Sequence, residues 1–118
     1  MGIVYYSRYL EFFEQARTET LNNINLKIKD LEILGFYLPV IKVECNYLKI
    51  VRLEDIINIK CRIFSIPKSK LRFDYDVLKN NEMVKVAFGY TEHAFLNIKK
   101  NKPAKPPTSL LNEIKLYF

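Results

Sequence analysis

The length and composition of the chain indicate a single globular domain. Its 118 residues are enough to bury a hydrophobic core and too few for two ordinary domains. Hydrophobic residues make up 49% of the sequence and aromatic residues 14%, which excludes disordered and fibrous classes. We therefore predict one domain over residues 1–118.

The net charge of +6 fits a nucleic-acid partner, a phosphate-bearing ligand, or solubility alone. Nucleic acid ranks last, because the aromatic residues mostly alternate into the register of a core. No apolar run reaches the length of a membrane span, so we expect a cytoplasmic protein without membrane insertion. Cys45, Cys61 and a single histidine form neither a disulfide framework nor a metal cluster. We expect reduced core cysteines and no metal site.

The first predicted element is an amphipathic helix from Ser7 to about Asn23. Its apolar residues recur at helical spacing and form one stripe: Leu10, Phe13, Ala16, Leu21 and Ile24. Ser7 is the predicted N-cap. Because a helix start offers unpaired N–H groups and the positive end of the dipole, this first turn is suited to a carbonyl oxygen or an anion.

A short second helix is predicted over 27–34, with Gly35 ending it in a left-handed cap. The hydrophobic period then changes to two, which predicts strands over 41–47, 57–63 and 71–77. The residues expected to face a core in the first of these strands are Ile41, Val43, Cys45 and Tyr47.

A further strand is predicted over 84–98, after a tight hairpin at Asn80–Asn81. One of its faces carries a stripe of mostly small residues: Ala87, Gly89, Thr91 and His93. We expect these residues to let the long helix approach the sheet closely. His93 is interpreted as a structural hydrogen-bonding residue. A basic, proline-marked connection then leads into a short terminal helix over 108–116.

One long helix followed by antiparallel strands is an α+β arrangement in which a curved sheet wraps a central helix. The opening segment also fits the pattern Gly-[Ile/Val]-Val-Tyr-x-x-x-Tyr-Leu-x-Phe-x-Glu-x-Ala-Arg. The residues that fill it are Gly2, Ile3, Val4, Tyr5, Tyr9, Leu10, Phe12, Glu14, Ala16 and Arg17. This segment resembles the opening of the hotdog-fold acyl-CoA thioesterases of the 4-hydroxybenzoyl-CoA thioesterase and YbgC type. Weaker matches at 41–48, 73–75 and 87–93 extend the resemblance over almost the whole chain.

The resemblance implies a hotdog fold whose first strand is missing from this sequence, and an acyl-CoA thioesterase active at a subunit interface of a homodimer or homotetramer. Coenzyme A would be part of the substrate, with no separate cofactor. The backbone N–H groups of Gly2, Val4, Tyr5 and Tyr6 would polarise the thioester carbonyl. The resemblance also favours Tyr5 and Tyr9 as residues that shape the acyl pocket. The candidate contacts to the phosphates of coenzyme A, chosen by charge, are Lys68, Lys70 and Arg72, with the basic run Lys99, Lys100 and Lys102 as a further candidate.

The family's catalytic Asp lies three residues before the Gly, a position that would precede Met1. Two hypotheses follow: the coding sequence starts upstream, or the protein is a short form that binds acyl-CoA or a protein partner without turnover. Glu14 is a candidate for a substitute acid. Its alternative roles are an ion pair with Arg17 and a subunit contact.

Overall fold

The computed structural model describes residues 2–80 and 84–118. Its three helices are α1 (Arg8–Asn23), α2 (Ile28–Ile33) and α3 (Thr108–Lys115). Each helix begins and ends within one residue of its predicted bounds, because helical spacing and end signals are encoded locally.

The strands form two antiparallel sheets. In chain order they are β1 (Phe36–Tyr37), β2 (Val40–Tyr47), β3 (Ile57–Arg62), β4 (Lys70–Lys79), β5 (Lys85–Ala94), β6 (Leu96–Asn97) and β7 (Lys102–Pro103). The larger sheet has the order β2-β5-β4-β3, and the smaller one has the order β1-β6-β7. The predicted α+β architecture is confirmed.

Helix α1 packs its apolar stripe against one face of the larger sheet. Phe13 is fully buried, and its ring stacks on that of Tyr75 in β4 with centroids 4.2 Å apart. Side chains of β4 alternate as far as Val77, so that Leu71, Phe73 and Val77 also point into this core. Tyr9, one turn before Phe13, is buried near the end of β2.

The small-residue stripe of β5 is buried, as predicted, but a neighbouring strand accounts for its most constrained position. A Cβ atom added at Gly89 would fall on the backbone carbonyl oxygen of Glu44 in β2. Gly89 faces Cys45 in the β2–β5 register. The expectation that the stripe serves the approach of α1 is therefore corrected at this position, where the absent side chain makes room for the β2 backbone.

Strand β2 is far more exposed than its alternation predicted. Ile41, Val43 and Tyr47 are 44–49% exposed, while Cys45 is half-buried. The prediction of a buried face is wrong for these three residues, because within the described residues β2 is an edge strand with β5 as its neighbour in the sheet. Both cysteines are free thiols.

The strand predicted over 84–98 divides at Phe95. The buried Phe95 separates β5 from β6, and its carbonyl accepts a hydrogen bond of 2.7 Å from the N–H of Ala104. The chain passes here from the larger sheet to the smaller one. An alternating hydrophobic pattern does not indicate to which sheet a strand belongs. Before the strand, Asn80 has the positive φ of 54° expected for the hairpin, and Asn81 lies outside the described residues.

Candidate functional site

The segment before α1 is fastened to the loop that follows β2. The N–H of Val4 donates to the carbonyl of Val51 at 2.7 Å, and the N–H of Leu53 donates to the carbonyl of Gly2 at 2.8 Å. Gly2 has a φ of 68°, which glycine adopts without a steric cost. These bonds fix where the chain enters the helix.

The same bonds correct one predicted role. The N–H of Val4 is occupied by Val51, so Val4 does not offer its donor to a ligand in this arrangement. The N–H groups of Tyr5, Tyr6 and Ser7 have no acceptor within residues 2–80 and 84–118. Of the predicted donors that follow the glycine, the structure therefore leaves two, Tyr5 and Tyr6.

Hydrogen bonds of the first turn orient the N–H groups of Tyr6 and Ser7. The carbonyl of Tyr5 accepts from the N–H of Arg8 at 3.0 Å, and the carbonyl of Tyr6 accepts from the N–H of Tyr9 at 3.2 Å. Because a trans peptide places its N–H opposite its C=O, the N–H groups of Tyr6 and Ser7 point away from the helix body. Ser7 occupies the N-cap position as predicted, but its side chain makes no capping hydrogen bond. The first turn is thus open to an acceptor from outside.

A groove of about 270 Å³ adjoins this helix start. Its lining residues are Ile3, Val4, Tyr6, Tyr9, Tyr47, Leu48, Lys49, Ile50 and Val51. Most of them are apolar or aromatic, and none carries a carboxylate. Three predicted site residues, Val4, Tyr6 and Tyr9, are therefore brought together here. The side chain of Tyr5 is 63% exposed, lies outside the lining and contacts the ring of Tyr6 at 4.8 Å.

Tyr47 is the main groove residue that sequence reasoning missed. Its hydroxyl donates to the carbonyl of Tyr6 at 3.2 Å, and its ring meets that of Tyr9 edge-on at 4.9 Å. Although the side chain is 48% exposed, its partial burial and a hydrogen bond with Cys45 raise the pKa of Tyr47 to about 12. The only sequence signal was its place at the end of an alternating strand, which does not reveal that this end meets the start of α1.

The predicted phosphate contacts lie at the other end of the sheet. The residues aligned across the strands at the groove end are Tyr47, Ala87 and Val77, whereas Lys70 pairs with Ala94. Val77 and Lys70 are therefore roughly 23 Å apart along β4. The structure does not bring Lys70 to the groove within one chain.

These cations also have partners in the same chain. Arg72 contacts Asp74 at 3.0 Å and lies 3.8 Å from the centroid of the Tyr90 ring. Lys70 lies 4.0 Å from the carboxylate of Glu92. Lys68, just before β4, is exposed. Of the predicted cations, none lines the groove, and the cation that does line it is Lys49.

Glu14 does not approach the groove. It is exposed on α1, and it is absent from the groove lining. Its carboxylate forms no ion pair with Arg17 in the part of the chain that the structure describes. The structure gives Glu14 no contact that fits a catalytic acid.

A separate polar cluster is buried beneath the middle of α1. The hydroxyl of Tyr75 lies 2.7 Å from that of Thr91, which lies 2.9 Å from Nε2 of His93. Nδ1 of His93 lies 3.0 Å from the carbonyl of Leu38. Since a carbonyl only accepts, Nδ1 carries the proton and Nε2 accepts from Thr91, which in turn accepts from Tyr75. This confirms that His93 forms structural hydrogen bonds.

Burial governs the titration of this cluster. It lowers the pKa of His93, and the nearby Arg17 guanidinium lowers it further, against the opposing effect of the Leu38 carbonyl. It also raises the pKa of Tyr75 to about 12. Both groups are therefore held neutral near pH 7.

Among the described residues, no helix has the length and apolar content that crossing a bilayer demands.

Comparisons with known proteins agree with this architecture. The model of the thioesterase-like superfamily matches residues 1–114. The acyl-CoA thioesterase YbgC of Haemophilus influenzae is 28% identical over 120 residues, covering 99% of this chain and 82% of the relative.

Two solved structures extend the comparison. The protein TT1821 from Thermus thermophilus superposes with a TM-score of 0.89 at 23% identity, over 100% of this chain and 88% of that one. The protein SAV2348 from Staphylococcus aureus, solved in complex with CoA, gives a TM-score of 0.88 at 16% identity, over 99% and 73% of the two chains. The predicted hotdog fold is confirmed, and the chain belongs to the thioesterase-like superfamily.

Proposed function

We propose that this protein is an acyl-CoA thioesterase that binds the thioester carbonyl at the start of α1. One observation carries the proposal: the N–H groups of Tyr5 and Tyr6 have no acceptor within residues 2–80 and 84–118, and Tyr6 lines an apolar groove. Superfamily membership and the similarity to YbgC thioesterases support the choice of substrate. The coenzyme A complex of SAV2348, which shares the fold, supports it further.

The chemistry follows from where charge develops during hydrolysis. Attack on a thioester carbonyl moves negative charge onto its oxygen, and N–H donors that are already in place stabilise that charge without reorganising. Removing one such donor typically lowers kcat by about 10²–10³. The donors of Tyr5 and Tyr6 lie at the positive end of the α1 dipole, which adds to the effect. In this proposal the aromatic groove wall holds the acyl or pantetheine portion.

Hydrolysis also needs a group that attacks or activates water, and the groove lining contains no carboxylate. In the resembling family, this acid lies three positions before the glycine that corresponds to Gly2. The groove lining of the described residues, which has no carboxylate, favours a second candidate, a protein that binds acyl-CoA without hydrolysing it. Glu14 does not resolve the choice, because it lies outside the groove lining.

We further propose that the active form is a homodimer or homotetramer with the groove near a subunit boundary. Strand β2 is an edge of the described sheet, and its apolar residues Val40, Ile41 and Val43 are 44–49% exposed. Such an edge favours pairing with another strand. An assembly would also give Lys68, Lys70 and Arg72 a route to the coenzyme A phosphates bound by a neighbouring subunit. We place this assembly in the cytoplasm.

Thiol release from a panel of acyl-CoAs tests the activity. Three proteins are compared: the 118-residue chain, a chain extended to carry an aspartate three positions before Gly2, and the same extension with asparagine there. The proposal expects hydrolysis by the aspartate version well above the asparagine version. Equal rates in all three at the level of buffer would overturn it. If acyl-CoA binding persisted under that result, the binding function would stand.

Sedimentation of the native chain tests the assembly. Dimers or tetramers are expected at micromolar concentration, and Val43→Lys on the exposed β2 edge should shift the population toward monomers. Lys99→Glu, an exposed change in the connection to α3, serves as the control for altered charge. A monomer at every concentration would contradict the assembly.

A further inference from the structure

One side chain from outside α1 acts directly on the peptide groups of its first turn. The hydroxyl of Tyr47, at the end of β2, donates to the carbonyl of Tyr6 at 3.2 Å. The same carbonyl accepts from the N–H of Tyr9 at 3.2 Å. Thus one oxygen at the helix start has two donors, one from the helix and one from the sheet.

Holding this oxygen sets the direction of the N–H on the other side of the same peptide. The Tyr6–Ser7 peptide is planar, so fixing the Tyr6 carbonyl fixes the Ser7 N–H in the opposite direction. It also restrains ψ of Tyr6, and with it the neighbouring Tyr5–Tyr6 peptide, whose own carbonyl is held by Arg8. The unoccupied N–H groups of the turn are therefore oriented in part by Tyr47.

Tyr47 is itself held in place. Its ring contacts the buried ring of Tyr9 edge-on, with centroids 4.9 Å apart and planes at 86°. A pKa of about 12 keeps its hydroxyl protonated, and so able to donate, throughout the physiological range. The hydroxyl is therefore a permanent donor from a restrained side chain.

We propose that Tyr47 is a positioning residue for carbonyl binding at the start of α1. This inference rests on the proposed function, because it names what helps to orient the Tyr6 N–H of that site, together with the neighbouring Ser7 N–H. Tyr47 acts through the Tyr6 peptide. Without its hydroxyl the first turn keeps only its helical hydrogen bonds, and its N–H groups sample a wider range of directions.

The test compares Tyr47→Phe, which removes only the hydroxyl, with Tyr117→Phe. Tyr117 follows α3, is 62% exposed and lies outside the groove lining, so it controls for the loss of a tyrosine hydroxyl. Thiol release is measured in the version of the chain that hydrolyses acyl-CoA. Binding of acetonyl-CoA, a ketone with a methylene group between sulfur and carbonyl, is measured by calorimetry in the native chain.

Tyr47→Phe is expected to lower kcat about tenfold and to change KM by less than about twofold, because misdirected donors cost most where the oxygen carries full charge. The Kd for acetonyl-CoA should rise about threefold. Amide NMR should show altered Tyr6 and Ser7 resonances. Tyr117→Phe should match the parent in all of these measurements.

The outcomes separate this inference from the function on which it rests. If the parent hydrolyses acyl-CoA and Tyr47→Phe does so at the same kcat, the positioning role is overturned and the hydrolase stands. If nothing is hydrolysed but Tyr47→Phe weakens acetonyl-CoA binding, the hydrolase falls and the positioning role stands. A lower melting temperature with kcat unchanged in the folded protein means that Tyr47 is only structural, and overturns the inference. Absence of both binding and hydrolysis overturns both.

Discussion

Helix α1 meets polar groups in two places, and their hydrogen bonding differs. Under its middle, Tyr75, Thr91 and His93 are buried and linked in one directed chain that ends on the carbonyl of Leu38. At its start, the N–H groups of Tyr5 and Tyr6 have no acceptor in the described chain. The polar groups of the buried cluster are hydrogen-bonded within the protein, whereas these N–H groups at the helix start are not.

The difference separates a structural polar cluster from the proposed binding site. Buried polar groups must be paired, because an unpaired one costs about 1–3 kcal/mol, so the His93 chain stabilises one packing of helix on sheet. N–H groups at an accessible helix start can remain without a protein acceptor, because water accepts their hydrogen bonds when no ligand is bound. Histidine would attract attention in a search for catalysis, yet here the backbone is better suited to chemistry.

The largest expected effect is the loss of the buried chain through Thr91→Val. Valine keeps the shape but removes the partner of both the Tyr75 hydroxyl and His93 Nε2. We expect the free energy of unfolding to fall by about 2–4 kcal/mol, measured by urea denaturation, because two buried groups lose their partners.

If the buried cluster and the helix start act independently, the affinity of folded Thr91→Val for acetonyl-CoA should stay within about twofold of the native value. Thr108→Val, at an exposed position on α3, should change stability by less than about 0.5 kcal/mol. A strong loss of affinity in folded Thr91→Val would contradict the separation of the two regions.

The second-largest effect is expected in the pH dependence of the free energy of unfolding, which should reflect the buried His93. Burial holds the pKa of His93 below its ordinary value of 6.5, so the unfolded chain binds a proton more readily than the folded one. The contribution of neutral His93 to the free energy of unfolding is therefore complete above about pH 6.5. It decreases as the pH falls from 6.5 toward the lower pKa of the folded state.

Urea denaturation between pH 7.5 and 5.5 measures this slope, and the single histidine makes its NMR titration unambiguous. His93→Gln should remove most of the slope. A folded-state His93 that titrates at or above pH 6.5 would refute the explanation.

The contrast between the two regions also shows how far the sequence could reach. Helix bounds and the buried face of β5 came directly from periodicity, because these are local properties of the chain. The opening segment also predicted where the long helix begins, within one residue of the start of α1. The alternating pattern predicted which residues of β2 share a face. It did not predict that β2 lies at a sheet edge, because that depends on strands far along the chain. The exposure of Ile41 and Val43 was therefore not predicted.

The site's details depended on similar long-range contacts. The engagement of the Val4 N–H by Val51 and of the Tyr6 carbonyl by Tyr47 joins segments more than forty residues apart. Charge alone selected Lys70 and Arg72, but strand register decides which cation adjoins the groove, and that cation is Lys49. Sequence patterns indicate which residue types could bind the ligand. Only the fold determines which of those residues lie near the groove.

A smaller effect should distinguish Lys49 from the distant cations. Lys49→Gln removes the one cation of the groove lining, so coenzyme A affinity should fall about threefold at low salt, and the difference should shrink at 0.5 M salt through screening. Calorimetric titration with coenzyme A measures both. Lys105→Gln, an exposed change in the connection to α3, is the charge-matched control and should have no such effect. Equal losses for both variants would mean that only net charge matters.

The smallest effect is expected at the N-cap itself. An N-cap serine normally stabilises a helix through its side chain, and its replacement by alanine costs about 0.5–2 kcal/mol. Ser7 makes no such bond and has helical φ and ψ of −66° and −22°, so Ser7→Ala should change the free energy of unfolding by less than about 0.5 kcal/mol. Urea denaturation checks the value. A loss above 1 kcal/mol would show that Ser7 closes the first turn with its own hydroxyl, and would remove the reason for treating this helix start as open. A neutral result leaves the orientation of the turn to Tyr47 and to the bonds at Gly2 and Val4, which hold the chain from outside the helix.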